Sequence, residues 1–178
     1  MKKLPAEIVA SLLAITTVLI ALPPYHLPPW AIFISWAATF AMGGPTAENL
    51  KKIWPTLPVG SVFAFLIVLC FRQASTQFTG TSFIVAQMVI LFSLNGSMMF
   101  LARVFPRLSF IPGMFFGFAS YFATLFGGFG PVPHDPVAAL GAVVAMNALG
   151  PAYAWLKERY SAPEGSGKKS WRGWQQEA

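Results

Sequence analysis

Apolar residues gather in six runs, at about 6–22, 29–44, 56–71, 82–102, 109–129 and 136–156, divided by short stretches rich in Pro, Gly, Lys and Arg. None of the runs alternates apolar and polar residues with the period of two that a half-buried or barrel strand shows. Continuous apolar segments predict helices here, because in lipid every backbone N–H and C=O needs a partner within its own segment. A helix crossing a bilayer needs roughly 20 residues, with a range of about 17–25. The fourth to sixth runs meet that easily, whereas the first three are shorter and depend on flanking residues or local thinning. The pattern predicts an all-α membrane protein with six transmembrane helices over residues 1–160 and a tail at 161–178.

Composition agrees. The chain is 56% hydrophobic and 10% charged, against about 25% charged in soluble domains, and a soluble fold of this size has no core large enough for so much apolar surface. The opening "MKKLPAEIVASLLAITTVLIALPPYH" has the basic start and apolar core of a signal peptide. It lacks a small-x-small cleavage site and more apolar runs follow, so it is expected to be an uncleaved first helix. The tail "SAPEGSGKKSWRGWQQEA" reads as a flexible cytoplasmic extension. Its Trp171 and Trp174, beside Lys and Arg, suit either an anionic lipid surface or a docking partner.

The charge sets an orientation. Eleven of the 12 Lys and Arg residues fall on one side if six spans are threaded from an inside N-terminus, and only Arg72 falls on the other. That asymmetry places both termini in the cytoplasm. It also accounts for the net charge of +6 without nucleic acid, since no zinc-finger, helix-turn-helix or aromatic RNA-binding signature is present.

The two halves, about 1–75 and 78–160, resemble one another. Pro55 to Gly60 has the spacing of Pro136 to Gly141, and "WAATFA" at 36–41 lines up with "FASYFA" at 118–123. Three spans is an odd number, so two such copies would insert in opposite orientations. Inverted repeats of this kind are common in channels and transporters, with the solute site near the midplane between the halves.

Polar residues inside the apolar runs are the first place to look for chemistry. Asn95 lies in the fourth run and Asn147 in the sixth, with Gln87, Ser93, Ser97, Ser35, Thr39, Ser120, Tyr121 and Thr124 adding amides and hydroxyls. No Asp, Glu, Lys or Arg lies at the centre of a run. A proton-coupled pump needs a titratable group in its path, so the set points to a neutral or weakly polar solute moving downhill. The competing reading of Asn95 and Asn147 is a hydrogen bond between helices, contributing about 1 kcal/mol. Trp36 and Phe40 share a face of the second span, and Phe118 and Phe122 share one of the fifth. Across a twofold axis these pairs would form an aromatic constriction; plain packing against lipid or core is the alternative. The predicted solute pathway is Trp36, Thr39, Phe40, Asn95, Phe118, Tyr121, Phe122 and Asn147, with His26 and His134 at the outer mouth.

The remaining motifs change the picture less. Gly113 and Gly117 form GxxxG, echoed by Ala37/Ala41 and Ala138/Ala142, which marks close helix contact within the chain or between copies of a homo-oligomer. His26 and His134 suit a pH sensor or a metal site, but with Asp135 they make too few ligands, and Asp135 before Pro136 reads as a helix N-cap. Glu48 has Lys51 and Lys52 within one turn. Cys70, the only cysteine, reads as a small packing residue. No nucleophile elbow, phosphate loop or HExxH is present, so no enzyme activity, metal or cofactor is expected.

The second span "WAIFISWAATFAMGG" and the fifth "FIPGMFFGFASYFATLFGG", with short loops between six spans, resemble the YcdZ-like family of small bacterial inner-membrane proteins over about residues 8–157. The resemblance implies six helices in the bacterial inner membrane, and brings no established substrate and no assigned functional residues. Two functions are carried forward: a channel or facilitator for a small neutral solute, built as a homo-oligomer in the lipid bilayer, and a non-catalytic accessory subunit of a larger membrane complex.

Overall fold

The computed structural model describes residues 3–162, and the regular structure in them is helical apart from one isolated bridge. The helices α1 (Ala6–Ala21), α2 (Pro29–Ala41), α3 (Ala47–Ser75), α4 (Gly80–Val104), α5 (Ile111–Phe126) and α6 (Pro136–Tyr160) follow the six apolar runs, with a 3-10 turn at Pro106–Leu108 between α4 and α5. Three of them, α3, α4 and α6, are long and apolar enough to cross a membrane, and α1, α2 and α5 are shorter apolar helices. Trp171 and Trp174 lie outside the described residues.

Two lengths differ from the sequence expectation. α3 is the longest helix, with 29 residues, because it starts well ahead of its apolar run. Thr46 caps it, its Oγ1 accepting the Asn49 N–H at 3.2 Å, and the Lys52 ammonium pairs with Glu48 at 3.0 Å. Pro55 and Pro58 lie inside this helix and each removes one backbone hydrogen bond. In that stretch the Thr56 hydroxyl donates to the carbonyls of Lys52 and Ile53. α5 has only 16 residues, a length of about 24 Å. It starts at Ile111, two residues into its run, and Gly127 and Gly128 end it, Gly128 at φ +71° where only glycine sits without strain. α6 begins as read: Pro136 is its first residue and Asp135 Oδ1 accepts the Ala138 N–H at 2.7 Å.

Four helices form the centre. α3 packs along α5, α6 packs along α2, and α3 also meets α6 as α2 meets α5. α1 lies outside against α6, and α4 lies outside against α3. Glycine allows the close approaches. A Cβ on Gly60 of α3 would overlap the Met114 carbonyl of α5, and one on Gly117 of α5 would overlap the Leu57 carbonyl of α3. A Cβ on Gly150 of α6 would overlap Ser35 Oγ of α2 and lie 2.7 Å from the Ile32 carbonyl oxygen. Gly113 faces Thr56 of α3, so the GxxxG pair is taken up by a contact within the chain.

The Pro-x4-Gly spacing marks no equivalent positions. Pro55 is inside α3 whereas Pro136 opens α6, and Gly141 has nothing within 4 Å of where its Cβ would be. Gly150, not Gly141, makes a backbone contact like that of Gly60. Gly60 lies on the Met114 carbonyl, one turn before Phe118; Gly150 lies near the Ile32 carbonyl, one turn before Trp36.

The chain ends meet. Leu4 donates its N–H to the Tyr160 carbonyl at 3.1 Å and accepts from Ala162 at 2.7 Å. At this terminal end the Gly44 turn also lies against the Glu158 carboxylate. At the opposite, histidine end, Gly130 N–H donates to the His26 carbonyl at 2.8 Å and Arg72 donates to the His134 carbonyl at 3.3 Å. With helix direction alternating, the other basic residues of the described chain fall at the terminal end and Arg72 alone at the histidine end. The apolar stretch of α4 is only 6% buried, and Phe92 on it is 83% exposed; the core is built from residues such as Ile32, Tyr121, Leu125 and Val143 instead.

Candidate functional site: a buried polar seam with a cavity at each end

Seven polar side chains without charge lie buried at the centre of the bundle: Ser35 and Thr39 of α2, Thr56 and Ser61 of α3, Ser120 and Thr124 of α5, and Asn147 of α6. Most of the hydroxyls bond back to their own helix, Ser35 to the Ala31 carbonyl at 2.8 Å, Thr39 to Ser35 at 2.8 Å and Thr124 to Ser120 at 2.7 Å. This is the usual way a helix absorbs a buried hydroxyl. Ser61 reaches across, donating to the Gly117 carbonyl at 2.9 Å beside the glycine contact.

Asn147 differs from the rest. It is 1% exposed, and neither its Oδ1 nor its Nδ2 has a hydrogen-bond partner in the protein. An interhelical hydrogen bond therefore does not account for this amide. Leaving a buried polar group unpaired costs about 1–3 kcal/mol. The Trp36 indole N–H and the Ser120 hydroxyl oxygen are likewise buried without partners. The seam thus offers neutral donors and acceptors and no side chain that titrates near neutrality.

The aromatic pairs are formed within their helices but do not face one another. Trp36 and Phe40 have ring centroids 6.2 Å apart, and Trp36 meets Tyr153 of α6 edge-on at 5.7 Å. Phe118 and Phe122 meet at 4.8 Å, and the row continues to Phe126. Among the described residues no ring contact joins the two pairs, so they flank the centre instead of closing it. The reason lies in the small residues: the buried faces of α2 and α5 carry Ala31, Ser35 and Ala38, and Gly113, Gly117 and Ser120. Backbones come together there, and Phe40, Phe118 and Phe122 lie to the sides, while Trp36 is buried against Tyr153 of α6. Phe118 accordingly packs beside Met98 and Met114, toward α4.

The other predicted site residues scatter. Tyr121 is fully buried, its hydroxyl donating to the Pro136 carbonyl at 3.2 Å. Thr39 is fully buried. Asn95 sits half-buried on the outlying α4, away from the seam. Phe40 is part-exposed at the terminal end, with the Lys157 ammonium 5.2 Å from its ring centroid. His26 and His134 are exposed and both have left-handed backbone, φ 43° and 59°. Among the described residues no group of three metal-ligating side chains comes together. Cys70 is exposed on α3, not packed inside as expected.

Tyr153 ties the seam to α1, its hydroxyl sharing a 2.6 Å hydrogen bond with Thr16. Tyr153→Phe is expected to lower stability by about 1 kcal/mol, read as a small downward shift of thermal unfolding in detergent, with Trp36 packing retained.

A cavity opens at each end. The terminal one, about 480 Å³, lies where α2 and α6 end: Phe40, Gly43 and Gly44 on one side, Lys157, Glu158 and Ser161 on the other, with Lys3 ahead of α1. The histidine-end one, about 440 Å³, lies where α5 and α3 end: Leu125 and Phe126 on one side, Val68, Phe71, Arg72 and Ser75 on the other, with Phe83 and Gln87 of α4 and His134 completing it. Each has a cation on the last turns of a long helix, Lys157 on α6 and Arg72 on α3. Sequence reasoning passed over Lys157 and Gln87 as cavity groups. Arg72 had a signal, as the one exception to the charge asymmetry.

Residues 7–162 match a protein family described as a protein of unknown function, DUF1097. The chain belongs to that family. The matched span begins at the second residue of α1 and runs past the end of α6, and the family description assigns no activity and does not carry the YcdZ-like name. No curated protein and no solved structure matches the chain. The family thus extends to the whole helical bundle, and what the seam does rests on its geometry.

Proposed function

We propose that this family member is a passive conduit for a small neutral or weakly polar solute. In this reading all of its helices cross the bacterial inner membrane, both termini are cytoplasmic, and the chain assembles as a homo-oligomer. The two halves are inverted copies. The reciprocal packing of α3 on α5 and of α6 on α2, the Gly60–Gly150 correspondence and the matching cavities support that. The observation that carries the reading is Asn147: a buried amide with both polar atoms unpaired, on the helix whose last turns line the terminal cavity. Such a group is costly unless it serves a polar visitor. The reading assigns no catalytic step and no cofactor.

The test is flux into proteoliposomes over a panel of small neutral solutes, comparing the wild type with Asn147→Leu and Trp36→Ala. Selective flux that falls steeply in Asn147→Leu supports the conduit. Equal leak for wild type, variants and empty vesicles overturns it. The accessory-subunit reading has its own observation, the exposed face of α4, where Ser93, Gly96 and Ser97 lie beside Phe92 and Phe100. Co-purification with a larger membrane complex, in the absence of flux, would favour it.

A further inference from the structure

The histidine-end cavity combines an apolar wall with a cation that has no counter-ion. Val68, Phe71, Phe83, Leu125 and Phe126 supply the wall. Arg72 is solvent-exposed and carries five N–H donors, and among the described residues its side chain makes one hydrogen bond, to the His134 carbonyl at 3.3 Å. No carboxylate lies within ion-pair distance of it among the described residues. The adjacent acid, Asp135, is engaged in capping α6 through the Ala138 N–H. Gln87 lines the same cavity from α4, and its amide makes no hydrogen bond within the protein among the described residues. His134 shares its Nδ1 with the Leu125 carbonyl at 3.1 Å, which turns Nε2 to other partners. The position is also against the grain of the chain, since every other cation of the described residues lies at the opposite end.

We propose that this cavity is a binding site for an amphiphilic oxyanion, a single carboxylate or phosphate carried on an apolar body. The guanidinium fork matches such a head in bidentate fashion, Gln87 and His134 complete its coordination, and the phenyl rings of Phe71, Phe83 and Phe126 form one wall along the body. A volume of about 440 Å³ falls within the range of about 300–1,000 Å³ that small-molecule sites occupy. The head group has two sources that share this chemistry, a soluble carboxylate and an anionic lipid of the adjoining leaflet. The site lies apart from the Asn147 seam and stands whether or not the protein conducts a neutral solute.

The full chain in a neutral maltoside detergent is titrated with benzoate and, separately, with benzamide, which has the same ring and no charge. Phosphatidylglycerol is then added as competitor. Saturable benzoate binding is expected, with benzamide weaker by about tenfold or more, since a hydrogen bond to a charged group is worth about a decade in affinity. Arg72→Gln is expected to lose the preference for benzoate, and Gln87→Leu, which leaves the Arg72–His134 bond intact, to reduce it several-fold. Displacement of benzoate by phosphatidylglycerol identifies the lipid as the occupant; binding that resists it identifies a soluble anion. If Arg72→Gln does not fold, Gln87→Leu and the benzoate–benzamide ratio still decide. Equal affinity for benzoate and benzamide, or no binding dependent on Arg72 or Gln87 from either anion, overturns the proposal.

Discussion

Gly117→Val leaves little or no folded protein. The pro-S hydrogen of Gly117, the one an L side chain replaces, points at the Leu57 carbonyl of α3, and a Cβ there would overlap it; Gly60 stands in the same relation to the Met114 carbonyl of α5. The two glycines interlock, so α3 and α5 approach backbone to backbone. A carbonyl oxygen inside a helix cannot rotate aside as a side chain can. The helices must separate along their whole contact, and Ser61 loses its 2.9 Å bond to the Gly117 carbonyl in the process. Overpacking against movable side chains costs about 1–3 kcal/mol, and a rigid neighbour puts this substitution at about 3 kcal/mol or more on the same scale. The measurement is monodispersity by size exclusion and the thermal midpoint in detergent. Gly141→Ala and Gly96→Ala are the controls: neither added Cβ meets an atom within 4 Å, and replacing glycine in a helix interior stabilises by up to about 1 kcal/mol. A Gly117→Val protein that melts with the wild type would mean that α3 and α5 are not packed this closely.

The glycines also show what the sequence carried and what it did not. Helix positions were legible because the apolar runs report on them directly, and Asp135 with Pro136 announced the start of α6. The start of α3 was not, because Thr46 and Glu48 extend the helix through a polar, proline-bearing stretch that hydropathy reads as a loop. The Pro-x4-Gly spacing read between the halves did not carry over to α3 and α6, since Pro55 lies inside α3 whereas Pro136 opens α6. Proline spacing paired Gly60 with Gly141, yet Gly141 faces open space, while Gly150 packs against the Ile32 carbonyl and Ser35 much as Gly60 packs against the Met114 carbonyl. A glycine against a backbone and a glycine facing open space are the same letter, and only packing separates them. For the same reason the aromatic pairs were found on the right faces of their helices while their facing across the centre was not: that depends on which of two helix faces is buried, and small residues won it. The cavities were the least legible part, since each draws on three helices far apart in the chain. Arg72 alone stood out beforehand, by breaking the charge pattern.

Asn147→Leu is expected to raise stability and abolish flux together. Leucine repeats the branched outline of asparagine with somewhat larger groups, so the exchange leaves no void, and it removes two buried polar atoms that have no partner. Relief of that desolvation is worth about 1–3 kcal/mol, enough to move the thermal midpoint upward. The sign is the informative quantity. An asparagine holding two helices together loses about 1 kcal/mol or somewhat more on such a replacement, so a lowered midpoint would show that the amide has a partner and serves packing. A raised midpoint with unchanged flux would show that the amide is a cost without a use in transport. A raised midpoint with lost flux is the pattern of a site that trades stability for function, and it places the polar visitor at the centre of α6. The control is Ser120→Ala, which removes another unpaired buried oxygen from the facing pair of helices. If the visitor passes along the seam, Ser120→Ala weakens flux less than Asn147→Leu does, because a hydroxyl offers one polar atom where the amide offers two.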